Sequence, residues 1–197
     1  MKVIGITGGI ASGKSTVSRY LLRAGYPVID SDQLAREVVA PGTAGYEQVV
    51  AVFGHEYVQA DGQLNRALLG DRIFTHSSDR QLLEAITHPL IFEAIDQKKK
   101  ELAQTEDALV FIDMPLLYEV GYEDKLDEVW VVFVDSSTQE ERLMRRNHLS
   151  KSEARALLAT QMPIQDKVQR ANAIINNSGG LEETYGQVEK LLRKALS

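Results

Sequence analysis

Residues 3–16 read VIGITGGIASGKST. Val3 to Thr7 is a short apolar run of the kind that forms a strand buried on both faces. Gly8-Gly9-Ile10-Ala11-Ser12-Gly13-Lys14-Ser15 then fits G-x-x-x-x-G-K-[ST], the phosphate-binding loop between a strand and a helix. Each residue type has a physical reason. The glycines let successive backbone N–H groups converge on one point. The helix that follows, read from Lys14 to Ala24, adds the positive end of its dipole. Lys14 reaches the β- and γ-phosphates as a mobile point charge. The Ser15 hydroxyl is the usual Mg²⁺ ligand of such a loop. The motif therefore predicts a nucleoside triphosphate site, formed by Gly8, Gly9, Ala11, Ser12, Gly13, Lys14, Ser15 and Thr16.

Outward from this loop, short apolar runs alternate with segments of helical period, the pattern of an α/β domain with a parallel sheet. Strands are expected at Val3–Thr7, Tyr26–Asp30, Leu109–Asp113, Val129–Asp135 and Ala173–Asn176. Between the second and third, residues 44–104 carry no convincing strand. They read as helices over Tyr46–Phe53, Arg66–Phe74, Arg80–Ile86 and Pro89–Gln104. About sixty helical residues inserted there make room for a substrate-binding subdomain. Past the fourth strand come helices at Thr138–Asn147 and Ser152–Gln161, then an amphipathic last helix with Leu181, Tyr185, Val188 and Leu192 at helical spacing.

The chain has 197 residues, 22 basic and 28 acidic side chains, and a net charge of −6. At roughly 150 residues per domain this is one domain with an insertion. There is no cysteine, which excludes a disulfide framework, a thiolate zinc site and a cysteine nucleophile. The longest apolar run, Val129 to Val134, is far short of the roughly 18 residues of a membrane span. The first residues lack the h-region and cleavage site of a signal peptide, so a cytoplasmic protein without a membrane partner is expected. The acidic balance argues against general nucleic-acid binding. No N-K-x-D or D-x-x-G motif points to a GTPase. Asn177-Ser178-Gly179-Gly180 is a poor match to a transporter signature and reads as a strand-to-helix turn. A small kinase fits the length best.

Ligands of doubly wound sheets sit beyond the carboxyl ends of strands. Asp30-Ser31-Asp32 ends the second strand. A carboxylate there can accept the proton of a hydroxyl that attacks a γ-phosphate, or it can cap the following helix, and the two aspartates can divide these roles. Asp113 and Asp135 both end apolar strands and compete as the metal-side aspartate. Asp135-Ser136-Ser137-Thr138 looks like a capping segment, which favours Asp113. Arg142, Arg145 and Arg146 share a helix face; they fit a lid that neutralises a transferring phosphoryl group, or a solvated face paired with Glu140 and Glu141. Lys167 and Arg170 serve the same pocket or are surface charges. His88, just before Pro89, reads on spacing alone as a cap.

Taken together, the segments resemble those of the dephospho-coenzyme A kinase family over nearly the full length. They are TGGIASGKST at 7–16, DSD at 30–32 with LAREVV after it, DGQLNRALLGDRIF at 61–74, THPLI at 87–91, DMPLLYE at 113–119, ERLMRRN at 141–147, and QMP at 161–163 with KVQRA downstream. The resemblance implies a P-loop nucleoside triphosphate hydrolase-like fold with a parallel five-stranded sheet. It implies a nucleotide-binding core at 1–32, 106–137 and 164–197, a helical coenzyme-A-binding subdomain at 33–105 and a helical lid at 138–163. It implies phosphorylation of the ribose 3′-hydroxyl of dephospho-coenzyme A by ATP, with Mg²⁺ held at Ser15 and Asp113. Asp32 matches the family's general base, and Arg142 and Arg146 its lid arginines, which with Lys14 make the catalytic set. Asp32, Arg66, His88, Pro89 and Leu116 are expected at the substrate, Arg170 and Asn177 at the ATP. A monomer or weak homo-oligomer is expected. Another P-loop small-molecule kinase, or a nucleotide-binding module without an acceptor, is the alternative. One departure stands out: Asn172 and Asn176 occupy positions where the family usually has aspartate, which removes two charges near the expected adenine end.

Overall fold

The computed structural model describes all residues, Met1–Ser197. Five strands, β1 (Lys2–Gly8), β2 (Val28–Asp30), β3 (Leu109–Asp113), β4 (Glu128–Phe133) and β5 (Ala173–Asn176), form one sheet in the order β2-β3-β1-β4-β5. The pairs β1–β3, β1–β4 and β4–β5 are parallel. β1 is therefore an inner strand, and its near-continuous apolar composition follows from burial on both faces. Ile6 lies opposite Asp113 in the register of β1 and β3, so the P-loop and that aspartate leave the sheet side by side.

Helices α1 (Lys14–Arg23), α2 (Ser31–Glu37), α3 (Ala44–Phe53), α4 (Arg66–Thr75), α5 (Ser77–Leu102), α6 (Ser136–Asn147), α7 (Lys151–Leu158), α8 (Ile164–Arg170) and α9 (Leu181–Leu196) complete the chain. Its contacts divide it into two compact units, one of Met1–Ile29 with Leu102–Ser197, the other of Asp30–Glu101. The first is built on the sheet. Ile4, Ile6, Phe111, Trp130, Val132 and Ile175 pack with Val17 and Leu21 of α1 and Val188 and Leu192 of α9. The second unit has its own apolar cluster around Val39, Val49, Phe53, Tyr57, Leu64 and Leu69.

Two local expectations change. The strand read over Tyr26–Asp30 is confined to Val28–Asp30: the Tyr26 N–H turns back to the Leu21 carbonyl at the end of α1, 3.0 Å away, although the Pro27 carbonyl still accepts from Phe111 N at 2.9 Å. The helices read separately over Arg80–Ile86 and Pro89–Gln104 are one helix, α5, with Pro89 inside it. A proline there removes its own N–H bond. The carbonyl it leaves, at Ala85, is on an exposed residue. The apolar stripe runs uninterrupted past the proline, from Leu83 and Ile86 in the cluster to the buried Ile91 and Ile95, and its burial holds the helix together.

Trp130 is fully buried and its ring centroid lies 5.4 Å from that of Phe111. Truncating such a residue costs about 3–5 kcal/mol. Trp130→Ala is expected to lower the melting temperature by at least about 6 °C in a chain of this length, measured by differential scanning calorimetry.

Candidate active site

The site begins with the loop that follows β1. Ala11 and Gly13 have positive φ, 62° and 86°, which turns the chain so that its amides face one point. Gly13 is required twice over, by its φ and because a Cβ there would collide with the side-chain amide of Asn177. The loop is braced by its own bonds, Ser12 N to Gly9 O at 3.1 Å and Thr16 N to Gly13 O at 2.9 Å. The Ser12 hydroxyl is buried without a partner.

Lys14, at the start of α1, is ion-paired with Asp113 at the end of β3. Both are largely buried, and the second Asp113 oxygen accepts from the Ser18 hydroxyl at 2.5 Å. Asp135 takes the other role weighed for such an aspartate. It caps α6, accepting from Thr138 N at 2.8 Å, Ser137 Oγ at 2.5 Å and Thr138 Oγ1 at 2.7 Å, and these bonds hold its carboxyl well below the usual range. The capping question at 30–32 is answered in the same way: Asp30 accepts from Asp32 N at 2.8 Å and Gln33 N at 3.0 Å. The cap is Asp30, and Asp32 sits in the first turn of α2.

Helix α6 lies against the P-loop. Gln139 Nε2 donates to the Ile10 carbonyl at 2.7 Å, and a Cβ on Gly9 would collide with the same group. One turn on, Arg142 donates to the Asn177 carbonyl at 3.0 Å, with Nη1 3.9 Å from where a Cβ on Gly13 would be. Asn177 is a buried junction: its Nδ2 donates to Ser12 O at 2.8 Å, and its Oδ1 accepts from Thr184 Oγ1 at 2.9 Å. Arg146 is exposed and bonded to its neighbour Asn147. The structure thus gathers Lys14, Asp113, Arg142 and Asn177 around the loop, with Ser15 and Thr16 in the first turn of α1.

The segment after β3 forms one wall. Thr7 Oγ1 and Lys167 Nζ both donate to Pro115 O, at 3.0 and 2.8 Å. Lys167, with 0% of its side chain exposed, is also ion-paired with Glu119 at 2.8 Å, so it is no surface charge. Burial pushes its ammonium below the ordinary value, and the Glu119 carboxylate opposes that shift. Arg170 pairs with Glu123 and lies over the Tyr118 ring, 4.4 Å from its centroid. Leu116 in the same segment is exposed.

The asparagines that replace the usual aspartates keep an acceptor. Asn172 Oδ1 takes Val129 N at 2.8 Å, and Asn176 Oδ1 takes Ser178 N at 2.9 Å. Asn172 thus ties the start of β5 to β4, and Asn176 closes the turn to Ser178; each bond needs only a side-chain oxygen as acceptor.

The Asp30–Glu101 unit carries a cavity of about 270 Å³ lined by Gln33, Arg36, Glu37, Val39, Leu64 and Arg66 among others. Arg66 donates to the Arg36 carbonyl at 3.2 Å. Its guanidinium is lowered by burial and then by the positive charge of Arg36. His88 and Pro89 lie on α5, with His88 stacked on Phe92 at a centroid distance of 6.0 Å. They are not part of this cavity's lining.

Comparison with known proteins gives a consistent result. The family model described as CoaE, dephospho-CoA kinase, matches residues 2–183. A dephospho-CoA kinase of Geobacter sulfurreducens is 48% identical over 194 residues, 98% of either chain. One of Carboxydothermus hydrogenoformans is 42% identical over 98% of this chain and 94% of its own. Among solved structures, a Thermus thermophilus protein superimposes with a TM-score of 0.85 at 35% identity, covering 100% of this chain and 98% of that one. A dephospho-CoA kinase from Campylobacter jejuni gives 0.75 at 26%, covering 98% and 97%. Shikimate kinase from Aquifex aeolicus, at 17% identity and 0.52, shares the fold.

Burial pushes the Tyr118 phenol up to about 12, against an opposing pull from Arg170. A group whose folded value is raised contributes stability that is present below the unfolded value near 10 and is lost as pH rises towards 12. The difference between near-ultraviolet titrations of the wild type and Tyr118→Phe is expected to show no phenolate from this residue at pH 10.5, where exposed tyrosines are already ionising.

Proposed function

The chain belongs to the dephospho-CoA kinase family, which catalyses the final step of coenzyme A biosynthesis, and on that premise we propose how its residues divide the work. ATP is bound with its phosphates in the amide cradle of Gly8, Gly9, Ala11, Ser12, Gly13, Lys14, Ser15 and Thr16, at the positive end of α1. Lys14, in the loop and already beside a carboxylate, exchanges Asp113 for phosphate oxygens when nucleotide arrives. Arg142, and Arg146 one turn further along the lid helix, neutralise the phosphoryl group in transfer. Arg170, stacked on Tyr118, and Asn177 bind the rest of the nucleotide. The observation that carries this reading is the docking of the lid arginine Arg142 beside Gly13 in the same unit that pairs Lys14 with Asp113.

Asp32 serves as the general base, taking the proton of the ribose 3′-hydroxyl as its oxygen attacks the γ-phosphorus. The neighbouring cap at Asp30 supports this assignment, because the helix start is satisfied without Asp32. Residues 33–105 form the coenzyme-A-binding subdomain. Its cavity, with Arg36 and Arg66 at the lining, suits an anionic part of that substrate. His88, Pro89 and Leu116 contact its remainder. Residues 138–163 are the lid, and the remainder of the chain is the nucleotide-binding core.

Mg²⁺ fits the donor set here, since the Ser15 hydroxyl and the Asp113 carboxylate are hard oxygen groups. Ser15 and Asp113 would hold the ion, the Asp113 oxygen that accepts from Lys14 becoming available as the lysine turns to phosphate, while the other stays bonded to Ser18. Bound there, the ion would screen the charge of the β- and γ-phosphates. No helix is long and apolar enough to cross a membrane.

The direct experiment follows ADP release from Mg-ATP, with dephospho-coenzyme A as acceptor and adenosine, AMP and shikimate as controls. Stimulation by dephospho-coenzyme A with coenzyme A as product is expected; stimulation only by a control would discard this acceptor. Asp32→Asn should leave ATP affinity nearly unchanged while kcat falls at least about 100-fold. Turnover like the wild type would remove Asp32 from the mechanism. Lys14→Ala should be almost inactive, and full activity would discard the assignment of the phosphate cradle.

A further inference from the structure

The residue at the apex of the P-loop, Ile10, is held on both sides by side chains of the segment assigned to the lid. Gln161 Oε1 accepts from the Ile10 N–H at 3.0 Å, and Gln139 Nε2 donates to the Ile10 carbonyl at 2.7 Å. Gln139 lies in the first turns of α6, before Arg142. Gln161 lies beyond α7, where the chain leaves the lid for α8. The two ends of one helical excursion are thus tied to one residue of the phosphate loop.

The attachments around them are buried or reinforced. Gln139 is 7% exposed, and Gly9 leaves the space its amide occupies. Beside Gln161, Met162 N donates to Glu119 Oε1 at 3.0 Å. Glu119 is in turn held by the wholly buried Lys167, which also grips Pro115 O. Pro115 O is the acceptor of Thr7, at the end of β1. The exit of the lid is therefore fastened to the strand that launches the P-loop as well as to the loop's apex.

We propose that Gln139 and Gln161 are positioning residues, a two-point clamp that sets the register of the lid on the phosphate loop and so places Arg142 for phosphoryl transfer. Gln139 and Arg142 are three apart on α6 and share a face. Fixing the first against Ile10 fixes the second against Gly13 and Asn177. The clamp has polarity: Gln161 must accept and Gln139 must donate. A glutamate retains the function at 161, because its carboxylate accepts an N–H. At 139 a glutamate opposes two acceptors and loses it.

This inference rests on the kinase reading for its kinetic consequence, but the clamp has a readout of its own in hydrogen exchange of the Ile10 amide in the protein without nucleotide. Followed by NMR, Gln161→Met is expected to speed that exchange about tenfold, and Gln161→Glu to restore most of the protection. Equal exchange in wild type and Gln161→Met would overturn the clamp, whatever the enzyme turns over. In the kinase assay, Gln161→Met should lower kcat about tenfold with a change in the KM for ATP below about threefold, since the amide cradle itself is untouched. Gln161→Glu should recover most of that loss, whereas Gln139→Glu should be at least as impaired as Gln139→Met. A purely structural role would lower the melting temperature of all four variants alike and leave kcat per folded molecule unmoved; that result, or identical behaviour of glutamate at the two positions, would sink the proposal. Normal clamp exchange in a wild type that does not phosphorylate dephospho-coenzyme A would instead count against the kinase reading alone.

Discussion

Lys14 and Asp113 form an ion pair with little access to water at the carboxyl ends of two adjacent strands. Removing two charges from water is costly, and a buried pair is a weak source of stability. What it does here is positional. The register that sets Ile6 opposite Asp113 brings the carboxylate to the place where the chain turns out of β1, and the lysine of the loop meets it there. The remaining Asp113 oxygen is occupied by Ser18, one turn into α1. Loop, helix and neighbouring strand are thereby tied at a single carboxylate. An anion arriving at the cradle finds the lysine already within the site, so little side-chain freedom remains to be lost on binding.

Around this pair the site is assembled from segments distant in sequence. Asn177, just past the end of β5, supports the loop through Ser12 and holds Arg142 of α6 through its carbonyl. Lys167, from α8, supports the segment after β3. Each is a buried polar group whose bonds are made, and such groups have few alternative arrangements. The segment from α6 to Gln161 is joined to the P-loop by the side-chain amides of Gln139 and Gln161 and to Asn177 by the Arg142 guanidinium, the amide bonds worth about 1 kcal/mol each in net terms. Contacts of that strength give the segment a defined position on the loop.

The fold and the phosphate loop were legible because both depend on local pattern. A strand buried on both faces reads as a near-continuous apolar run, and a phosphate cradle has glycines and a lysine at fixed spacing. The role of Asp135 as a cap was legible for the same reason, since Ser-Ser-Thr after an aspartate is a local helix start. Pro89 misled because a helix break is only a local tendency, and the stripe from Leu83 to Ile95 outweighs one missing hydrogen bond. Gln139 gave no signal, since a glutamine among the polar residues of α6 reads as solvated. Lys167 read equally well as a surface charge.

The amino-acid sequence by itself determined the α/β pattern, the nucleotide loop and the inserted helices, because these are written in periodicity and spacing along the backbone, and it carried the family in the resemblance of its segments to those of known members. Tertiary structure alone decided that Asp30 caps its helix, that Lys167 is buried against Glu119, that Asn172 ties β5 to Val129 of β4, and that two glutamines hold Ile10 from opposite sides. The physical reason is separation. Gln139 and Gln161 meet Ile10 across 129 and 151 residues, and hydrogen bonds over such distances exist only once β1 and β4 have paired and carried their loops to the same edge of the sheet.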